Sequence, residues 1–309
     1  MCNLTQPHFQ DKDKAREYLE QLRWPEGPVC PHCGDTGAWP IKGGRAGLYR
    51  CKQYECRKQF TVTVGTVFER SRVPLNKWLM ATYLMCSSKK GVSAHQVHRT
   101  IGVTYKTAWF MCHRIREAMK DESGSIFGSG GGLVEADETY MGTVRAKVGG
   151  GHLGKKRKIL SLVDRETKQV RSVHVDKVNM ETIKPIIKKN LAREAQLMTD
   201  GLGLYKEIGK GFAAHHVVNH TQGEYVRKDN PLLHTNTVEN YFSVFKRGMK
   251  GTYQHCKEVH LNRYLSEFDF RYNYRIKNGY DDAERADIAL KQIAGKRLTY
   301  NPLSSEQAV

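Results

Sequence analysis

The sequence predicts an α/β protein in which two small N-terminal modules precede a larger domain with a mixed β-sheet. Three observations predict this class. Two cysteine pairs lie within residues 29–70, helical patterns fill residues 71–122, and strand and helix patterns alternate beyond residue 132. The Gly- and Ser-rich segment 123–132 offers little to pack and is expected to be a linker.

The first 28 residues are expected to form a helical segment ahead of the cysteine-rich module. The stretch 11–23 places Tyr18, Leu19 and Leu22 on one helical face. The prolines and the glycine that follow stop this pattern, so the helix ends before the first cysteine pair.

The module at residues 29–70 has the cysteine spacing of a metal site. Its four cysteines are Cys30, Cys33, Cys51 and Cys56. Zn²⁺ prefers four soft ligands in a tetrahedron, and two cysteine knuckles on facing hairpins supply them. The spacing therefore predicts a zinc ribbon with one structural Zn²⁺ and no chemistry of its own. The alternative is a set of incidental free thiols.

Residues 71–122 predict a helix-turn-helix module. Ser93 and Thr104 stand at expected helix N-caps, with Gly102 at the turn. The apolar positions expected to face the core are Val97, Ile101, Ala108, Met111, Ile115 and Met119. In helix-turn-helix proteins the N-terminal end of the second helix meets base edges. The residues expected to contact DNA are Tyr105, Lys106, Thr107 and Arg114. An ordinary helical hairpin is the alternative.

The alternating patterns at residues 133–280 predict the larger domain. Strand-like segments are LVEADETYMG, KILSLVDRETKQVRSVHV, QLMTD and HHVV, and METIKPIIKKNLA has helical spacing. Three strands in a meander, then a helix, a strand, a helix and a strand, fit the order of an RNase H-like fold. We therefore expect a mixed five-stranded sheet with flanking helices, followed by a C-terminal helical tail at residues 281–309.

Three acidic residues of this domain are candidate metal ligands. Asp137 lies within an otherwise apolar strand, Asp200 ends the strand QLMTD, and Glu239 lies in a helical block that starts at Thr235. Brought together, they would hold two Mg²⁺ or Mn²⁺ ions. The same helix presents Asn236 and Lys246 on the polar stripe of Glu239, so that Lys246 can meet a phosphate. Taken singly, each acid also fits a solvated or salt-bridged role.

Charge favours a polyanionic partner. The chain has 50 Lys and Arg against 32 Asp and Glu, a net charge of +18, and neutralising phosphates releases counterions. No apolar segment is long enough to span a bilayer, and the first ten residues lack the pattern of a secretory signal. We therefore expect a cytoplasmic, nucleoid-associated protein with no membrane partner.

Several segments resemble bacterial insertion-sequence transposases of the ISXO type. They are CPHCG, FTVTVGTVFERSRVPLNKW, ADETYMG, TDGLGLY, HTNTVENYFSVFKRGMKGTYQHC and HLNRYLSEFDFRYNYR, and the similarity runs from about residue 15 to residue 275. The resemblance implies a DDE-type enzyme that cuts DNA at element ends. Such an enzyme joins the freed 3′-hydroxyl to target DNA without a covalent protein–DNA intermediate.

The resemblance also implies roles for individual residues. Asp137 and Asp200 are the first and second acids. The third ligand is Glu239 or Asn236, and Glu239 is preferred because Lys246 follows it at the spacing typical of related transposases. Cutting two terminal repeats implies a homo-oligomer, at least a dimer on DNA.

Two further basic segments are candidate contacts to the DNA backbone. They are the run from Lys155 to Lys158 and the pair Arg271 and Arg275; a solvated face is the alternative for each. For the whole chain two other functions stay open. One is a zinc-ribbon and helix-turn-helix DNA-binding protein with an inactive RNase H-like domain, and the other is an RNase H-like nuclease that cuts without joining.

Overall fold

The structure is a computed structural model that describes residues 4–142, 156–218, 226–227 and 230–299. The chain divides into two compact units. Unit 1 comprises the residues up to Lys120 and those from Arg275 onward, and unit 2 comprises Asp121–Tyr274. None of the helices in these described ranges is long and apolar enough to cross a membrane.

Unit 1 begins with two helices and a small three-stranded sheet. The helices are α1 (Pro7–Gln10) and α2 (Lys12–Arg23). The antiparallel strands follow in the order β1-β2-β3 and span Ala38–Pro40, Tyr49–Cys51 and Gln59–Phe60. Phe60 is buried, and its ring lies 5.9 Å from that of Tyr49 and 5.8 Å from that of Trp24. These aromatic rings form the core of the ribbon, because strands this short bury little else.

The helical part of unit 1 contains the predicted helix-turn-helix elements. Its helices are α3 (Leu75–Ser87), α4 (Ala94–Ile101) and α5 (Tyr105–Ala118). The Ser93 hydroxyl accepts a hydrogen bond from Gln96 N, the Thr104 hydroxyl accepts one from Thr107 N, and Gly102 has φ +63°. The caps and the turn are therefore confirmed. All the predicted core positions are buried, namely Val97, Ile101, Ala108, Met111, Ile115 and Met119.

The C-terminal segment packs within unit 1. Helix α10 (Asp282–Lys291) starts with a capping box between Asp281 and Glu284. Ala289 is buried, and the buried Arg285 guanidinium donates a hydrogen bond of 2.7 Å to the Cys86 carbonyl. Helix α10 is thus part of the core of unit 1 and not of a separate tail, a difference that a helix of modest amphipathicity does not reveal in the sequence. Residues 300–309 of the predicted tail lie outside the described residues.

Unit 2 contains a mixed five-stranded sheet in the order β6-β5-β4-β7-β8. The strands are β4 (Leu133–Met141), β5 (Arg157–Asp164), β6 (Gln169–Val175), β7 (Gln196–Thr199) and β8 (Ala214–Val217). Strands β4, β5 and β6 form an antiparallel meander, and β7 and β8 run parallel to β4. The predicted RNase H-like order is confirmed.

Helices cover both faces of this sheet. They are α6 (Met180–Asn190), α7 (Leu204–Gly209), α8 (Asn236–Gly248) and α9 (Leu261–Asn273). Side chains of a strand alternate between faces. Accordingly, Ile159 and Val163 of β5 pack with α8 and α9, whereas Leu160 and Leu162 pack with α6 and α7.

The predicted linker at residues 123–132 packs against unit 2. Phe127 is buried in the core that contains α6, and its backbone bridges Leu191. The Gly128 amide donates a hydrogen bond of 2.9 Å to the Asp164 carboxylate. Gly128 has φ +72°, and a Cβ there would lie 2.4 Å from that of Ala195. The glycines therefore allow the chain to pack closely around Phe127, whereas their number predicted a free linker.

Candidate functional site

Asp137 lies in β4, and Asp200 is the first residue after the adjacent parallel strand β7. Glu135 of β4 pairs with Met198 of β7, and each aspartate lies two residues further along its chain. Ligands of open α/β sheets bind outside the carboxyl ends of such strands. The Asp200 carboxylate also accepts a hydrogen bond of 3.0 Å from Leu202 N, which fixes the turn that follows β7.

Glu239 reaches this edge of the sheet from α8. The predicted apolar stripe of that helix is buried, and its members are Val238, Phe242, Phe245 and Met249. Glu239 is half-buried on the neighbouring stripe. Its negative charge helps to raise the pKa of Asp137, so the two carboxylates interact. The three predicted acids therefore belong to one electrostatic cluster.

Asp137 retains its proton more strongly than an ordinary aspartate. Its pKa is raised to about 8, first by burial and then by the negative charges of Asp200, Glu138 and Glu239. A hydrogen bond of 2.7 Å from Glu138 N to the Asp137 carboxylate opposes this rise. Acids gathered in this way favour a bound cation, because a positive charge relieves their mutual repulsion.

Glu138 is a fourth acid of the cluster, which the sequence analysis did not select. Its pKa is raised to about 7, first by burial, and Asp200 contributes. The buried Tyr205 hydroxyl of α7 donates a hydrogen bond of 2.6 Å to its carboxylate. Side chains of a strand alternate between faces, so the sequence groups Asp137 with Glu135 and not with Glu138. The available signal was the acidic pair Asp137-Glu138 itself.

Glu135 positions the helix that carries Glu239. Its fully buried carboxylate accepts a hydrogen bond of 2.8 Å from Val238 N, in the first turn of α8, and one of 2.6 Å from the Arg165 guanidinium. A carboxylate is stabilised at a helix N-terminus by the unpaired amides and the helix dipole. The sequence placed Glu135 on the face of Asp137 but did not reveal this contact, because it joins residues far apart in the chain.

Arg165 extends this contact to the residues before α8. Its guanidinium donates to the carbonyls of Leu232 and His234, the latter at 2.7 Å, and to His234 Nδ1 at 2.6 Å. The pKa of His234 is lowered, first by burial and then by Arg165, which favours the neutral ring that can accept this bond. The start of α8 is thus held by Glu135 and Arg165 together.

The acid cluster fits divalent cations that prefer oxygen ligands, and Asp137, Asp200 and Glu239 would hold them. Within the described ranges, the oxygens of this trio do not all lie within 4.8 Å of one another, as the four ribbon sulfurs do. Two ions about 3.5–4 Å apart can each bind some of these carboxylates, so the three need not converge on a single ion.

Asn236 and Lys246 lie at opposite ends of α8, and both are exposed. Asn236 is the first residue of the helix, one turn before Glu239. Lys246 lies seven residues after Glu239, which corresponds to about 10 Å along the helix axis. Asn236 therefore lies closer to Glu239 along the helix than Lys246 does, and a phosphate contact of Lys246 stays a prediction.

The structure brings the four predicted zinc ligands together in unit 1. The sulfurs of Cys30, Cys33, Cys51 and Cys56 all lie within 4.8 Å of one another. The Cys30–Cys56 and Cys33–Cys51 sulfur pairs are 3.7 Å and 3.5 Å apart. A tetrahedron with Zn–S bonds of about 2.3 Å has edges of about 3.8 Å. The four thiols therefore fit Zn²⁺.

Cys33→Ser should release zinc and unfold the ribbon, because the short strands β1–β3 have only a small aromatic core to hold them. We expect the variant to lose zinc at about tenfold lower chelator concentration than the unaltered protein. Cys256→Ser is the matched control, since its sulfur donates to the Lys257 carbonyl within unit 2 and is not one of the four gathered sulfurs. Equal zinc retention by both variants would contradict the Cys₄ site.

Some of the residues predicted to contact DNA are exposed, and others are buried. Tyr105 and Lys106 are exposed at the N-terminal end of α5, and Thr107 is half-buried beside them. Arg114 is buried, and its guanidinium donates to the carbonyls of Glu69 and Leu298 at 3.1 Å. Arg114 therefore stabilises unit 1 and is not available to DNA, because helical periodicity alone does not show what lies behind the helix.

Arg271 is likewise a core residue. It is buried, forms an ion pair with Glu267, and lies 4.6 Å from the ring of Phe268. Arg275 is half-buried and bonded to Asn278 at 3.4 Å, so its contact to DNA stays a prediction. In the basic run from Lys155 to Lys158, the Lys158 ammonium donates a hydrogen bond of 2.7 Å to the Asp176 carbonyl, and Lys155 lies outside the described residues.

Solved and curated proteins resemble this chain to different degrees. A chain of the simian T-cell lymphotropic virus intasome in complex with PP2A regulatory subunit B56 gamma is 10% identical, with a TM-score of 0.29. That match covers 62% of this chain and 65% of the solved one, which is less than two thirds of its length.

A curated relative matches over most of both chains. An uncharacterized protein in transposable element ISH50 of Halobacterium salinarum is 27% identical over 283 residues, which is 85% of this chain and 91% of the relative. Two family descriptions match separate parts of the sequence. Residues 10–59 match the transposase zinc-ribbon domain, and residues 130–273 match the ISXO2-like transposase domain. The first of these matches contains the four clustered cysteines and the second contains the five-stranded mixed sheet, so the chain is similar to ISXO2-like transposases in both parts.

Proposed function

We propose that this protein catalyses DNA transposition by metal-dependent cleavage at element ends and transfer of the freed 3′-hydroxyl into target DNA. One observation carries the proposal. Asp137 in β4 and Asp200 directly after β7 are in register, Glu239 lies in α8, and burial together with the charges of Asp200 and Glu239 raises the pKa of Asp137 to about 8. Such a cluster suits the binding of two divalent cations.

Each residue of the proposed site has a distinct role. Asp137, Asp200 and Glu239 hold the cations, and Asn236 contacts a cation or the DNA at the start of α8. When bound, such ions activate the attacking oxygen and stabilise the leaving oxygen. Glu135 and Arg165 fix the start of α8, so Glu239 is held in place before DNA arrives. Lys246 neutralises a phosphate further along the helix.

DNA binding is proposed for unit 1. Tyr105, Lys106 and Thr107 lie at the end of α5 that would enter the major groove. The net charge of +18 favours a polyanion. Because a transposition event involves two terminal repeats, we propose that at least two protomers act together on DNA.

The test is a strand-transfer assay with purified protein, Mg²⁺ or Mn²⁺, and labelled DNA that carries the native element ends. We expect joined products from the unaltered protein and none from Asp200→Ala. Cleavage without joining would identify a nuclease instead. Sequence-specific binding without cleavage or joining, in the presence of metal, would favour a DNA-binding protein with an inactive catalytic domain.

A further inference from the structure

Two aromatic side chains of the zinc ribbon are exposed to solvent. Trp39 of β1 is 47% exposed, and Tyr54, between the cysteines of the second knuckle, is 82% exposed. The core of the ribbon is built by other rings, since the buried Phe60 contacts Tyr49 and Trp24. Trp39 and Tyr54 therefore add little to the stability of the ribbon, and their large apolar surfaces are free to contact a ligand.

Two basic side chains lie against these rings. The Lys52 ammonium is 5.7 Å from the centre of the Trp39 ring, and the Arg57 guanidinium is 5.6 Å from Trp39 and 5.8 Å from Tyr54. Cation–π contacts of this kind fix the positions of side chains that would otherwise be mobile. In the described part of the chain, neither Lys52 nor Arg57 forms an ion pair. We call Trp39, Lys52, Tyr54 and Arg57 the aromatic–basic face.

The backbone at Arg57 has a conformation that glycine adopts more easily than arginine. Arg57 follows Cys56 at the position that Gly34 holds after Cys33 in the first knuckle. Both residues have left-handed backbones, with φ +80° at Gly34 and φ +46° at Arg57. Glycine adopts this conformation without strain, whereas arginine does not. The second knuckle thus carries an arginine where the geometry of the first favours glycine.

The chemistry of this face suits a nucleic-acid strand. Guanidinium and ammonium groups pair with phosphates, and flat rings pack against sugars and bases. The surrounding ribbon is also basic. From Cys30 to Phe60, its other Lys and Arg residues are Lys42, Arg45, Arg50 and Lys58, against the acids Asp35 and Glu55.

We propose that the aromatic–basic face is a second DNA contact of unit 1, which binds the element-end duplex in addition to α5. Arg57 and Lys52 contact phosphates, and Trp39 and Tyr54 pack against the adjoining sugars or bases. This inference rests on the proposed function, because that function supplies DNA as the ligand.

Arg57→Gly separates DNA binding from folding. The variant removes a phosphate contact and at the same time relieves the left-handed backbone, so we expect it to retain zinc and to melt no lower than the unaltered protein. Equilibrium binding to a labelled end duplex is measured by fluorescence anisotropy at several salt concentrations. We expect about tenfold weaker binding and a salt dependence reduced by about one phosphate.

Trp39→Ala and Arg45→Ala complete the series. Trp39→Ala should weaken binding about tenfold with no change in salt dependence, because stacking involves no counterion release. Arg45 is exposed in the turn between β1 and β2 and belongs to the same basic ribbon. Arg45→Ala should leave the affinity within about twofold if specific contacts, and not total charge, bind the DNA.

Two results would overturn the inference. One is unchanged DNA affinity in zinc-loaded Arg57→Gly and Trp39→Ala, and the other is an equal loss in Arg45→Ala. Joining of pre-cut ends at saturating DNA distinguishes these results from failure of the proposed function. If the variants bind normally and still join, only the second contact is wrong. If the unaltered protein binds the ends and joins nothing, the proposed function is wrong and the binding comparison still decides the contact.

Discussion

Asp137→Asn should abolish strand transfer, with a loss of at least roughly a thousandfold in the rate of joining. The substitution keeps the shape of the side chain and removes the negative charge that would hold a cation. Joined products are measured with labelled element ends in Mg²⁺ and in Mn²⁺. Asp176→Asn is the matched control, because Asp176 is an exposed acid of unit 2 beyond the end of β6. Full activity of Asp137→Asn would contradict the assignment of the acid cluster.

The same variant should be more stable than the unaltered protein in magnesium-free buffer at pH 8. The folded pKa of Asp137 is about 8 against an ordinary 3.8, so the folded chain binds more protons between these values. The free energy of unfolding contributed by Asp137 therefore falls as the pH rises from about 4 to about 8. The Asp137→Asn variant would lack this dependence, because an amide does not titrate in this range.

We expect a stabilisation on the order of 1–3 kcal/mol at pH 8 and none near pH 4, measured by denaturant unfolding. A large loss of stability in Asp137→Asn at pH 8 would make the residue structural.

Glu135→Ala should lower the free energy of unfolding by about 3–5 kcal/mol and stop joining. The substitution leaves the half-buried Arg165 charge without its carboxylate and removes the acceptor of Val238 N at the start of α8. Denaturant unfolding measures the first effect. Glu166→Ala is the control, because Glu166 is exposed in the turn between β5 and β6.

Glu135→Gln separates positioning from stability, because the amide oxygen can still accept from Val238 N. At a temperature where this variant stays folded, we expect kcat for joining to fall while KM for DNA is unchanged, since the proposed DNA contacts are on other residues. A variant with unaltered kcat and reduced stability would show that Glu135 is only structural.

The elements of the fold follow closely from sequence patterns. Ser93, Gly102 and Thr104 act as the caps and the turn that their types predict, and the apolar stripe of α8 is buried as its period requires. The four cysteines gather as their spacing indicates. These features are local, because each depends on residues within one or two turns or within one small module.

The remaining features depend on contacts between distant segments. Phe127 packs under α6, so the glycine-rich stretch around it is not a free linker. Arg114 and Arg271 were predicted to contact DNA because they are basic, but both are buried in the structure. A single sequence does not reveal this burial. The contact of Glu135 with the start of α8 joins residues about a hundred positions apart and becomes visible only once the sheet is formed.

Mn²⁺ binding is the most direct test of the acid cluster, measured by electron paramagnetic resonance at neutral pH on the zinc-loaded protein. We predict that the unaltered protein binds Mn²⁺ and that Asp200→Ala and Glu239→Gln bind it much more weakly. Glu181→Gln, at an exposed acid in the first turn of α6, should bind it normally. Asn236→Ala should retain most of the binding if Glu239 is the third ligand. Unchanged Mn²⁺ binding in both Asp200→Ala and Glu239→Gln would contradict a catalytic metal centre on these acids.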